Sequence, residues 1–137
     1  MYLIDTCIFS ELIKIEPSKK VIDWILEKDE KLLSVSALTF GEIRKGIEKM
    51  SESAKKRKIE TWFQEFLIPR FWNRLIALDG NVANTWGHLI AQSEKNGRSL
   101  PTIDSLIAAT AITHNLHLVT RNMRDFEGLS LTLINPF

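Results

Sequence analysis

The residues of this chain whose types and spacing could do chemistry are its scattered acids. Asp5 follows "YLI", Glu42 sits in "TFGEIRKG", Asp104 in "PTIDSLIAAT" and Asp125 in "TRNMRDF". Gathered at one place they would repel each other: two carboxylates at about 4 Å cost on the order of 4 kcal/mol at an effective dielectric near 20. A hard divalent ion reverses that sign and takes oxygen ligands, as Mg2+ and Mn2+ do. Held in such a cage, the ion polarises a phosphoryl oxygen, lowers the pKa of a bound water and steadies charge in an in-line displacement. That is the chemistry of phosphodiester hydrolysis. Zinc has no competing ligand set, because His88, His114 and His117 lack paired spacing. Cys7, the single cysteine, has no histidine near it in sequence and reads as a small apolar filler.

Each acid also has a plainer reading. Asp104 opens a helix of small and apolar residues, where an acid can satisfy free amides and the helix dipole. Glu42 flanks the core face marked by Phe40, Ile43 and Ile47, as a solvated side chain or a partner for Lys45. Asp5 can cap a helix beginning at Thr6 or Cys7. Asp79, before "GNVANTWG", is best read as a cap and stays outside the site.

The acids can meet only if the elements carry them to one edge. "YLI", "LLSVS", "RLIALD", "LHLVT" and "LTLIN" read as strands. Between them lie helical segments: "CIFSELIK", "KKVIDWILEKD" after Ser18, "ALTFGEIRKGIEKM", "AKKRKIETWFQEFLIP", "VANTWGHLIAQSEKNG" with Gly97 past its end, and "PTIDSLIAATAITHN" with Pro101 at its start. In the second helix Val21, Ile22, Ile25 and Leu26 are expected inward, and Trp86 in the core. Strands alternating with helices imply an α/β fold: a central parallel sheet of four to five strands with helices on both faces. Ligands of such sheets lie beyond the carboxyl ends of the strands, the edge to which this topology brings most of the acids.

The bulk composition agrees. A chain of 137 residues fits one domain over 1–137, and 45% hydrophobic with 26% charged residues is ordinary for a globular protein. A lone cysteine suits a reducing compartment, and without a leader or spanning segment the cytoplasm is the expected location, with no membrane role. The basic run "KKRK", residues 55–58, reads as a solvated face with RNA-backbone steering as the alternative. The aromatic band of Trp62, Phe63, Phe66, Phe71 and Trp72 reads as core or dimer surface, with base stacking as the alternative.

Together, "YLIDTCIFSELIK", "SVSALTFGEIRKGI", "LPTIDSLIAATAITHNLHLVTRNMRDFEGL" and "LINPF" resemble the PIN-domain ribonucleases, in particular the VapC/FitB-like toxins of type II toxin–antitoxin pairs. The resemblance spans the whole chain. It implies a single PIN-like domain, a Mg2+- or Mn2+-dependent endoribonuclease acting on RNA, restraint by a small cognate antitoxin, and a homodimer. Carried over, the family's acids fall on Asp5, Glu42, Asp104 and, less uniquely, Asp125 or Asn122; Asp125 is favoured as the acid and Asn122 as a polar helper. Thr6 and Thr120 are placed as supporting polar groups, and Arg44 and Lys45 as RNA contacts. One departure is Cys7, where the family usually has Asn, so a hydrogen bond orienting Asp5 is in question. Two rival functions remain: a phospho-acceptor signalling domain, which wants an acid pair and a late Lys that "LIDTC" and "LINPF" do not offer, and a non-catalytic binding domain whose acids merely cap helices.

Overall fold

In the computed structural model, which describes residues 1–137, the strands are β1 (Tyr2–Ile4), β2 (Leu33–Ser36), β3 (Leu75–Ile76), β4 (His117–Val119) and β5 (Leu133–Ile134). They form one parallel sheet in the order β3-β2-β1-β4-β5. The strands are short, so side-chain alternation carries the fold. Leu3 and Leu118 face one side, Ile4 and Val119 the other, and each side has its own core.

The first face is covered by α1 (Thr6–Leu12), α2 (Lys19–Glu27), α3 (Ala37–Lys49), α4 (Ala54–Thr61) and α5 (Ile68–Phe71); the second by α6 (Gly80–Lys95), α7 (Thr102–Thr113) and α8 (Met123–Phe126). Ser36 caps α3 by accepting from Leu38 N–H at 3.1 Å, and Asp79 caps α6 by accepting from Val82 N–H at 3.0 Å, as a cap should. Gly97 has φ of +73°, closing α6 in the left-handed conformation that costs glycine nothing.

Three details depart from expectation. The helix after Ser53 is not uniform: a π-helical stretch, Trp62–Leu67, joins α4 to α5. Ile59, Phe63, Leu67 and Phe71 recur every four residues, which overshoots a 3.6-residue turn. The wider turn returns them to the core face. Leu26, expected inward, is 76% exposed because α2 buries Val21 alone fully. Trp86 is half-buried, and its indole N–H donates to Ser105 Oγ at 2.9 Å, tying α6 to the first turn of α7.

β1 lies between β2 and β4, so the chain leaves it in one direction early and returns on its other side late. The carboxyl end of β1 is therefore the switch point, where α/β sheets open a crevice. The helices α3 and α7 run back against the strands, so their N-terminal turns meet this same edge. No helix is long and apolar enough to cross a membrane.

Candidate active site

Asp5 is the residue after β1 and Thr120 the residue after β4. The register pairs Ile4 with Val119, and Asp5 N–H donates to Val119 O at 3.0 Å. The parallel ladder thus sets these two side chains next to each other. Asp5 is only 3% exposed. Its Oδ1 accepts from Thr6 N–H at 2.8 Å and its Oδ2 accepts from the Thr120 hydroxyl at 2.8 Å. It is both a helix cap and a fixed buried carboxylate. Burial pushes its pKa above the ordinary value, with a small push from Asp125; the hydrogen bonds from Thr120, Thr6 and Cys7 oppose this without cancelling it.

Glu42 is not paired with Lys45. It accepts from the Thr6 hydroxyl at 2.6 Å, and the same hydroxyl lies 3.4 Å from that of the fully buried Thr39. Thr6 is therefore the joint between the edge of β1 and the first turns of α3. Asp104, half-buried in the first turn of α7, takes no hydrogen bond from the free amides of its helix, so capping does not account for it. Its pKa is pushed up to about 6, first by burial and then by the negative charges of Asp5, Asp125 and Glu42. That field places Asp5, Asp125 and Glu42 within electrostatic reach of Asp104.

The remaining candidates are placed as follows. Asp125 lies exposed on α8, and its charge reaches both Asp104 and Asp5. Asn122 is exposed, and its backbone N–H donates to Thr120 Oγ1 at 3.0 Å. Lys45 is exposed and makes no ion pair. Arg44, expected to face RNA, is engaged with Glu60 at 2.8 Å and Glu48 at 3.1 Å and lies over the Phe63 ring.

Cys7 is more than filler. Its thiol reaches Asp5 Oδ2 at 3.7 Å, and its sulfur accepts from Arg121 N–H at 3.4 Å. Burial, then the charge of Asp5, pushes the thiol pKa up, so it stays protonated and able to donate. Orientation of Asp5 nonetheless comes from two stronger donors, Thr120 and the Thr6 amide. Thr39 and Ser105 were missed because a hydroxyl in a helix carries no sequence signal; only their burial against Thr6 and Trp86 reveals them.

No three of the acids, histidines and Cys7 are gathered tightly enough to form a ready ligand set. By donor type the site suits a hard cation: its charged groups are oxygens of one sign, and Asp104 carries the strain of their proximity. The fit is thus one of charge and donor chemistry.

Residues 2–129 match the PIN domain profile. Plasmid stability protein StbB of Pseudomonas syringae pv. tomato is 32% identical over 137 residues, covering 100% of this chain and 99% of the relative. VapC ribonuclease Y4jK of Sinorhizobium fredii is 31% identical, covering 100% and 98%. The crystal structure of FitAcB from Neisseria gonorrhoeae aligns with a TM-score of 0.93 at 27% identity, covering 99% of this chain and 98% of that one.

Proposed function

The chain belongs to the PIN domain family, and from that premise we propose that it is a Mg2+- or Mn2+-dependent endoribonuclease, the toxin of a toxin–antitoxin pair. The observation that supports this best is Asp104: an uncapped acid at the switch point, pushed up to about 6 in a field made by Asp5, Asp125 and Glu42. An acid that served only the helix dipole would gain nothing from three like charges beside it. The sequence likeness to a VapC ribonuclease supports the choice of RNA as substrate.

Asp5, Asp104, Glu42 and Asp125 would hold the ion. When bound, it supplies positive charge to the scissile phosphate and acidifies water. The chain's own residues do the rest. Thr120 and the Thr6 amide fix both oxygens of Asp5, so its geometry is set before any ligand arrives. The Thr6 hydroxyl aims Glu42 at the same edge. The raised pKa of Asp104, about 6, belongs to the metal-free cluster; as a ligand Asp104 would hold the ion as a carboxylate, and the ion would offset the charge of Asp5, Asp125 and Glu42 around it. Lys45, exposed one turn beyond Glu42, would meet the RNA backbone, while Arg44 braces α3 against α4.

A nuclease that cuts cellular RNA must be restrained. The partner is a small antitoxin with a basic side chain for the acidic edge, and the working unit is a cytoplasmic homodimer. The deciding experiment incubates purified protein with total RNA in Mg2+, Mn2+ or chelator, beside Asp104→Asn. Cleavage by the wild type only, and only with metal, is expected. Equal cleavage by Asp104→Asn, or none by either protein, refutes the reading.

A further inference from the structure

Two of the four acids are held at their carboxylates: Asp5 by the Thr6 amide and Thr120, Glu42 by the Thr6 hydroxyl. Asp104 and Asp125 make no ion pair, and their carboxylates accept no hydrogen bond, so each is placed by its helix alone. For Asp104 that helix is α7, with 12 residues and a largely buried middle. For Asp125 it is α8, with 4 residues. A single helical turn fixes many dihedrals for little hydrogen bonding and does not hold itself.

Three contacts hold α8 instead. Phe126 is buried in the second core and sets the depth of the turn. At the start of α8, Asn122 N–H donates to Thr120 Oγ1 at 3.0 Å. At its end stands Arg98, from the loop between α6 and α7. Its guanidinium donates to the backbone carbonyl oxygens of Asp125 at 3.1 Å, of Arg124 at 3.4 Å and of Glu127. These are carbonyls that a helix end leaves without partners, and a rigid fork of donors can span several of them at once. The guanidinium lies over Gly128, where a Cβ would sit 3.5 Å from it. Arg98 is itself fixed: its own N–H donates to Ser93 O at 2.8 Å, where Gly97 turns the chain out of α6. It makes no ion pair, so the carbonyls of α8 are where its donors go.

We propose that Arg98 is a positioning residue of the acidic site: by gripping the C-terminal carbonyls of α8 it sets where the Asp125 carboxylate stands relative to Asp5 and Asp104. The proposal rests on the nuclease reading, in which Asp125 helps to hold the ion. Arg98 acts through the backbone of α8, so its whole effect on metal binding passes through Asp125.

The test is a double-mutant cycle on the full-length protein, with free Mn2+ read by electron paramagnetic resonance. Arg98→Met keeps the long apolar stem and removes the donors. Arg98→Met and Asp125→Asn each weaken Mn2+ binding by about 10- to 100-fold, the usual cost of losing a group that orients a metal ligand. The double variant binds no more weakly than Asp125→Asn alone, because the two changes remove one interaction. Arg98→Lys, whose point charge does not span three carbonyls, gives the same pattern with a smaller loss and serves where Arg98→Met folds poorly. Equal losses from the Arg98 substitution in both backgrounds make it a brace of the fold only and overturn the proposal. Wild-type Mn2+ affinity in Arg98→Met or in Asp125→Asn overturns it as well. If the wild type then still binds Mn2+ and cleaves RNA, only the positioning role falls; if the wild type does neither, the nuclease reading falls and takes this role with it.

Discussion

Replacing Asp104 by Asn keeps the side-chain shape and removes one charge from the cluster, so the metal-free protein should become more stable. The carboxyl is pushed from 3.8 up to about 6. Two units correspond to about 3 kcal/mol at about 1.4 per unit. Asp104 is only half-buried, so solvent screening reduces this to about 1–2 kcal/mol. The sign follows from proton binding. With a raised folded pKa, the folded state holds more protons than the unfolded chain between the two values. The favourable contribution is fully present below about pH 4, is lost as pH rises to about 6 and stays lost at neutrality. The charges that raise Asp104 come from Asp5, Asp125 and Glu42, so the difference belongs to the coupled cluster as well as to one residue. In chelator, wild type and Asp104→Asn should melt together near pH 4. At pH 7.5 the variant should melt higher by about 4–8 °C, taking roughly 4 °C per kcal/mol for a chain of this size. Mn2+ should reverse the order, since an ion at a hundred times its Kd stabilises the wild type by about 2.7 kcal/mol. Scanning calorimetry at both pH values, with and without Mn2+, gives the answer. A chelated wild type that melts above Asp104→Asn at pH 7.5, with metal shifting both alike, would refute the reasoning and return these acids to capping.

Asp5→Asn should abolish RNA cleavage while circular dichroism stays native, because Asn can still accept from the Thr6 amide at its 2.8 Å position; residual cleavage above about a hundredth of wild type would count against Asp5 as a ligand. Thr120→Val strips a fully buried carboxylate of its 2.8 Å donor and the Asn122 amide of its acceptor. It should cost about 1–3 kcal/mol in urea unfolding and slow cleavage, with Thr120→Ser restoring both; a Val variant equal to wild type would refute this role. Asp79→Ala should lose about 1 kcal/mol from a broken cap and leave cleavage per folded molecule unchanged; impaired cleavage would mean the site extends to α6.

The acids were legible in sequence for a physical reason. A parallel sheet with crossover helices delivers every strand end and every following helix start to one edge, so an acid's place in the strand–helix rhythm predicts its neighbours. What sequence could not decide was whether each acid caps or binds, since both use the same residue type at the same position. Asp79 and Asp104 make the contrast. Both sit at helix starts. Asp79 accepts an amide of its own helix at 3.0 Å, whereas Asp104 accepts none and is instead held near three other acids. Asp5 does both, one oxygen to the Thr6 amide and the other to Thr120. Only the β1–β4 register makes that second bond possible, and pairing between residues 115 apart leaves no local trace. The same limit applies to Cys7. Its type suggested a filler, but its place on the first turn of α1, two residues after Asp5, brings the thiol to 3.7 Å from Asp5 Oδ2, so it can donate to Asp5. The π turn at Trp62–Leu67 shows the converse. Its four-residue apolar spacing was visible in the sequence, but a strict 3.6-residue helix leaves no room for the wider turn that this spacing requires. The turn keeps Phe63 and Leu67 in the core while Trp62 lines a small cavity that Glu42 also borders. A local departure from helix geometry thereby links the packing of the first face to the edge where the acids meet.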